Sequence, residues 1–354
     1  MRPRVALVTS GVGTAQGGIG VVAELIVSAL QKDSDVSIWR HSTSLPRIPR
    51  IGLAYARALL GSMKRPDLVI YDHIHLAVLH GVIPSLTRIP YVVFLHGVEV
   101  WEPLIGRRRE ALLNAKLLVA NSATTELAAR AANPWLPKIE IVWLGVPKQP
   151  GRLPSASSLP VALMVGRMAS TERLKGHDPV LNAWPEIRAS VPNANLIIVG
   201  TGDDEARLRR RVRDEGLESV TFCGRLNNRE RDRLYASARL LFLPSKQEGF
   251  GIAAVEAAGF GVPVVGLAGT VIEELFPNGT GVQLASDWES HSMAQAAIPL
   301  LTDDRLASTL GQAAYLRVQD TFLEEHFSER FRCTLSKVLS EYTSHSEQFA
   351  AKSL

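Results

Sequence analysis

Short apolar runs alternate with longer segments of helical period along the whole chain. This is the pattern of parallel strands whose sheet is covered by helices on both faces. In the first half the runs Arg4-Val8, Val36-Trp39, Leu68-Tyr71, Tyr91-Leu95, Leu117-Ala120 and Glu140-Trp143 predict six strands. Between about Pro147 and Pro160 the chain turns rich in Pro, Ser and Gly and loses both periods, which predicts a linker. A second series follows, with strands expected at Val161-Val165, Asn195-Val199, Val220-Phe222, Leu240-Leu243, Val262-Gly266 and Gly281-Gln283. The residues after Thr321 read as an amphipathic helix. No short repeat is visible, so a solenoid or propeller is not expected. Open α/β sheets bind ligands beyond the carboxyl ends of their strands, so two such domains facing each other would form a deep cleft, and candidate chemistry belongs at strand ends.

Composition changes this picture little. The 354 residues are 46% apolar and 21% charged, enough for two cores. Cys223 and Cys333 lie far apart without metal-ligand spacing, so neither a disulfide framework nor a zinc site is expected, and a reducing, cytoplasmic setting fits. The start Met1-Arg2-Pro3-Arg4 is basic, but the apolar run behind it is too short for a signal peptide and reads as the first strand. No run of about 18 apolar residues predicts a spanning helix. A formal charge of +4 does not suggest a nucleic-acid partner. Arg47, Arg50, Arg57, Lys64 and Arg65 flank the apolar stretch from Ile51, and Arg107-Arg108-Arg109 forms a second basic patch. These are solvated helix faces or sites for anionic lipid, peripheral at the inner membrane surface, or for a phosphate-bearing acceptor.

The most informative segment runs from Leu240 to Glu256: a buried strand, then Pro244-Ser245-Lys246-Gln247-Glu248, then Gly249-Phe250-Gly251 opening a helix at Ile252. Glycines permit close backbone approach, and the first N–H groups of a helix favour phosphate oxygens. Carboxylates beside such a site must face something neutral. Glu256 suits a ribose hydroxyl and Glu248 the hydroxyls of a sugar, against a plainer reading of Glu256 as a helix-surface residue. Gly166-Arg167 after the first strand of the second half, and Lys175-Gly176 beyond, supply cations that together neutralise a diphosphate, although either alone reads as a surface residue.

With these residues in view, Glu248 to Glu256 resembles the E-x7-E motif of the retaining glycosyltransferases of family GT4, group 1, on the GT-B fold. The successive blocks Gly166-Arg167-Met168 with Lys175-Gly176, Gly200-Thr201-Gly202-Asp203, Val220-Thr221-Phe222-Cys223-Gly224, Pro244-Ser245 and Gly261-Val262-Pro263-Val264-Val265 follow the order of that family. The resemblance implies two Rossmann-like doubly wound α/β domains facing across a cleft. Residues 1–147 would form the acceptor side and 148–354 the nucleotide-sugar side, with the helix from about 321 packing back on the first. It implies Arg167 and Lys175 at the diphosphate, Glu248 at the donor sugar and Glu256 at the ribose. Gly166, Gly249, Phe250, Gly251 and Ile252 would border the donor, and the blocks at Gly200-Thr201-Gly202 and Phe222-Cys223-Gly224-Arg225 the base. Gly269-Thr270 reads equally as a donor-side stretch or a simple turn.

In the first half, Gly11 to Gly20 lacks both the P-loop Lys-Ser/Thr pair and a clean G-x-G-x-x-G register. The resemblance gives Gly17 and Gly18 a place beside the donor diphosphate. His96, at the end of the strand Tyr91-Leu95, reads as a hydrogen-bonded strand-end histidine or, by the resemblance, as a group approaching the donor sugar. Glu99 and Trp101 would border the acceptor. Asp72, His73 and His75 read as acceptor-facing groups or as loop anchors. Asn121-Ser122 and Gly145-Val146-Pro147 carry fold information rather than chemistry. Asp33-Ser34-Asp35 has a D-x-D form but lies in a polar turn away from the donor blocks, so no metal is expected. The implied activity is retaining, metal-independent and cofactor-free transfer of a hexosyl group from a UDP- or GDP-linked sugar to a hydroxyl acceptor, either a small molecule or a lipid-linked glycan. The alternatives are a nucleotide-sugar epimerase or hydrolase of the same fold, or a non-catalytic scaffold.

Overall fold

The structure, a computed structural model, describes residues 2–13, 17–40, 65–82, 86–87, 89–149 and 160–351. The basic residues Arg47, Arg50, Arg57 and Lys64, the apolar stretch between them, the middle of the glycine loop at Thr14 to Gln16 and most of the expected linker lie outside the described residues.

The chain divides into two units, one of Met1–Gly145 with Glu324–Leu354 and one of Val146–Leu323. The first carries β1 (Arg4–Thr9), β2 (Asp35–Arg40), β3 (Leu68–Tyr71), β4 (Tyr91–Leu95), β5 (Leu117–Ala120) and β6 (Ile139–Ile141). They form one sheet in the order β2-β1-β3-β4-β5-β6, parallel throughout. Strands β3 and β4 are buried along their whole length, as continuous apolar runs require when helices cover both faces. The helix Glu324–Ala351 packs on the helix Gly17–Leu30, with Phe331 against Phe94 and Arg332 paired to Asp33. Asp33 of the D-x-D turn is thus engaged by an arginine. Among the described residues no cluster of His, Cys, Asp and Glu could hold a metal ion, and none of their helices is long and apolar enough to cross a membrane.

The second unit carries β7 (Val161–Val165), β8 (Asn195–Val199), β9 (Val220–Gly224), β10 (Leu240–Leu243), β11 (Val264–Leu267) and β12 (Val282–Ala285). Their order β12-β11-β10-β7-β8-β9 is the Rossmann order. The first sheet instead follows the flavodoxin-like order, extended by β6. Strand direction of growth reverses between β1 and β3 in one sheet and between β7 and β10 in the other, and ligands enter open α/β sheets at such points.

Several strand boundaries shift by one or two residues from the sequence expectation, and two of these shifts show where the backbone goes instead. β11 starts at Val264 rather than Val262, because Val262 and Gly261 close the preceding helix: Val262 N–H donates to Ala257 O and Gly261 N–H to Ala258 O. With Gly261 at φ +72° this is a Schellman cap. β6 ends at Ile141, after which a single bond from Val142 N–H to Ala120 O continues the ladder.

Candidate functional site

In the second unit the reversal point is built from the ends of β7 and β10. Pro244 and the buried Ser245 follow β10, and the segment Ser170–Lys175 is fastened against them. Lys246 N–H donates to Leu174 O at 2.9 Å and Ser245 Oγ to Lys175 O at 3.3 Å. The turn after Lys175 requires glycine: Gly176 has φ +89°, and a Cβ there would stand 2.7 Å from Pro244 Cγ. Lys175 is thereby delivered to Glu248. Its Nζ lies 2.7 Å from Glu248 Oε2, with side chains 26% and 16% exposed.

The other Glu248 oxygen accepts from Gly251 N–H at 3.2 Å. Gly251, at φ +81°, is the N-cap of the helix Ile252–Gly259, which has no side-chain cap. One carboxylate therefore bridges a lysine and the positive end of a helix. That place attracts anions, since the first N–H groups have no intrahelical acceptor and the helix dipole favours negative charge. Phe250 turns inward, edge-on to Phe322, so only its backbone faces the turn.

Glu256 lies further along the same helix, its side chain 15% exposed. Tyr235 hydroxyl donates to Oε2 at 2.9 Å, and Arg231 Nη2 lies 3.0 Å from Oε1. Burial raises the Glu256 pKa while Arg231 opposes the rise. Burial, with Glu256 beside it, holds the Tyr235 hydroxyl well above its ordinary range. Arg231 and Tyr235 were not singled out in the sequence. The only signal for them is their four-residue spacing on the helix Asn228–Ser237, which many helices share.

Arg167 follows Gly166 at the end of β7 but is turned to Glu172, Nε to Oε2 at 3.1 Å with Nη2 on the other oxygen, and its side chain is 67% exposed. Lys175, Glu248 and Gly251 are thus drawn together, while Arg167 and Glu256 have separate partners. The glycine block after β8 has a steric role: a Cβ at Gly200 would stand 1.9 Å from Gly166 O, and one at Gly202 1.9 Å from Met168 O. Asp203 then clasps Ser170 through N–H and hydroxyl at 2.8 and 2.5 Å. Within β9, the Phe222 ring lies under Arg209 of the preceding helix, at 4.9 Å. Gly269-Thr270 is a turn at φ +72°, closed by Thr270 Oγ1 to Leu267 O at 2.7 Å.

In the first unit His96 follows β4. Its Nε2 meets the Asp72 carbonyl, which can only accept, so Nε2 carries a proton. Glu99 Oε1 accepts from His96 N–H at 2.5 Å, and Asn121 Nδ2 donates to His96 O at 2.8 Å. Gly97, at φ +152° and ψ −110°, makes the turn between them. The His73 ring stacks on His96 at 6.0 Å. Burial lowers the His73 pKa to about 4. Asp72 is fully buried, and neither carboxylate oxygen has a partner in hydrogen-bond geometry. The nearby Thr9 hydroxyl directs its proton to Gly11 O at 2.8 Å instead. Burial accordingly raises the Asp72 pKa to about 7. Gly17, at φ +72°, opens the helix Gly17–Leu30, and nothing lies within 4 Å of a Cβ placed on it or on Gly18.

Residues 146–317, nearly all of the second unit, match the model of glycosyl transferases group 1. This unit belongs to that family. A GDP-mannose-dependent monoacylated alpha-(1-6)-phosphatidylinositol monomannoside mannosyltransferase of Corynebacterium glutamicum is 32% identical over 164 residues, covering 44% of this chain and 42% of the relative. A glycogen synthase of Mycobacterium tuberculosis is 30% identical over 235 residues, covering 64% of this chain and 53% of the relative. The chain thus spans about half the length of these relatives. Among solved structures, Anabaena HepE in complex with UDP and glucose superposes with a TM-score of 0.77 at 19% identity, covering 95% of this chain and all of the other. Sucrose-phosphate synthase from Thermosynechococcus elongatus gives 0.76 at 18% identity, covering 96% and all of the other. The fold is that of the GT-B glycosyltransferases.

Proposed function

We propose that this chain transfers a sugar from a nucleoside diphosphate-sugar, UDP- or GDP-linked, to a hydroxyl acceptor with retention of anomeric configuration and without a metal. The observation that carries the reading is the bridge Lys175–Glu248–Gly251 at the β7/β10 reversal, inside the region that matches the family. The names of the relatives, one GDP-mannose-dependent and one structure bound to UDP and glucose, support a donor of this class. On donor binding the diphosphate takes the helix start and Lys175, and Glu248 turns to the sugar hydroxyls. Arg167, exposed on its loop, is available to the departing phosphate if it exchanges Glu172 for it. The acceptor hydroxyl attacks the anomeric carbon on the face from which the nucleotide leaves, and the leaving phosphate oxygen takes its proton. Retention then needs no protein nucleophile. Lys175 and the helix start offset the charge that develops on the leaving group.

The test is incubation with UDP-, GDP- and ADP-sugars in EDTA, with and without a hydroxyl acceptor panel, read by nucleotide release and by NMR of the product anomer. Acceptor-dependent release with a retained anomer is expected. Release of free sugar as the main product, an inverted anomer or full dependence on added metal would each overturn a stated part of the reading.

A further inference from the structure

The first unit holds a cavity of about 410 Å³ between the helix Ile74–Ala77 and the start of the helix Gly106–Leu113, lined by His75, Val78, Leu104, Ile105, Arg107 and Arg108. That volume lies in the range of small-molecule sites. One side of it is cationic. Arg107 and Arg108 are exposed, and among the described residues neither is engaged by a carboxylate. Arg109, by contrast, lies over the Trp135 ring at 5.1 Å. Burial, and then the charge of Arg108, lower the His75 pKa, which places that guanidinium within electrostatic reach of the imidazole.

The helix entering the cavity is built without the usual N-terminal partners. Its N-cap is Ile105, in extended geometry with no side-chain bond, and its first turn has no acidic residue. Ser, Thr, Asp or Asn at that position would satisfy the first N–H groups and compete with an incoming anion. The other side of the cavity is apolar: Leu104 is buried, Val78 half-buried, and Ile105 is 82% exposed. Two guanidiniums beside open helix N–H groups suit a phosphate, and the adjoining aliphatic wall suits a hydrocarbon chain.

We propose that this cavity binds a phosphate ester carrying an apolar chain, its phosphate on Arg107, Arg108 and the helix start and its chain along Val78, Leu104 and Ile105. Resting on the transferase reading above, this amphiphile is the acceptor substrate. A free phosphate ester and a membrane lipid headgroup share that chemistry, and the experiment separates them.

Calorimetric titration of the full chain with monomeric octyl phosphate, inorganic phosphate and octyl glucoside, in parallel with UDP and GDP, tests the site. Octyl phosphate is expected to bind at least tenfold more tightly than either comparison ligand. Arg107→Ala and Arg108→Ala should each weaken it about tenfold, and Arg109→Ala should leave it unchanged. Ile105→Asn supplies a helix cap while removing the apolar wall, so it should keep or raise the melting temperature and still lose octyl phosphate binding. Equal binding of inorganic phosphate, equal binding of octyl glucoside, or Arg107→Ala and Arg108→Ala titrating like wild type would overturn the proposal. Arginine-dependent co-sedimentation with phosphatidylglycerol vesicles, beyond that with phosphatidylcholine, assigns the source to a membrane lipid; octyl phosphate binding without co-sedimentation assigns it to a free ester. Nucleotide binding without octyl phosphate binding refutes this site alone, whereas loss of nucleotide binding refutes the transferase reading.

Discussion

Replacing Lys175 by Ala separates the two roles that the bridge at the β10 end combines. Its ammonium is held 2.7 Å from Glu248, both side chains being mostly buried. A hydrogen bond between charged groups contributes about 1.5–3 kcal/mol net. If the same ammonium serves the diphosphate, Lys175→Ala should weaken nucleoside diphosphate binding roughly 10- to 150-fold. Its folding stability should fall by only about 1–2 kcal/mol, because Glu248 retains its bond from Gly251 N–H. Glu248→Gln acts oppositely on the ligand: it keeps an acceptor for Gly251, releases Lys175 and removes a negative charge from the helix start. Affinity for the diphosphate should hold or rise, while turnover with the intact donor falls. Calorimetric titration of both single variants and the double variant, alongside thermal unfolding, reads these effects separately. Lys175→Ala binding nucleotide as wild type does, or Glu248→Gln weakening it as much as Lys175→Ala does, would refute the reasoning.

Gly200→Ala should destabilise by about 3 kcal/mol or more, seen as a lower urea midpoint, since its Cβ would meet the Gly166 carbonyl at 1.9 Å on a backbone at φ +137°; a wild-type midpoint would contradict this. Asp72 stays protonated in the protein up to about pH 7 while in the unfolded chain it ionises from the ordinary carboxyl value of 3.8, so stability is lost as pH rises across that window. The stability of Asp72→Asn relative to wild type should therefore rise between those pH values, by at most about 4 kcal/mol, and a pH-independent difference in chemical denaturation would refute it. His80 takes a bond at Nδ1 from Tyr71 hydroxyl and donates from Nε2 to Ile89 O, both at 3.0 Å. Burial lowers its pKa to about 4, so its ring NMR signals should not titrate between pH 8 and 5.5.

The strands were legible because parallel strands buried on both faces are short apolar runs, and β1 to β12 appear where such runs stand. Strand order was not legible, since no pattern within a run says which neighbour it pairs with, and the first sheet's β2-β1-β3 order emerged only from the structure. At the site, Lys175, Glu248 and Gly251 were readable from glycine turns and a helix start. The grip of Arg231 and Tyr235 on Glu256, and the turn of Arg167 to Glu172, depend on rotamers and long-range packing that spacing does not encode. The Gly200 and Gly202 block read as a border of the base pocket, and its visible reason is steric, the close approach of the β7 loop.

The most direct test of the central claim is an amide NMR titration of the protein with UDP, GDP, ADP, dTDP and CMP in EDTA. The account predicts that at least one nucleoside diphosphate binds and that the largest shifts fall at Gly166, Lys175, Gly249 to Ile252 and Glu256. Shifts elsewhere, or no binding of any nucleotide, would contradict it.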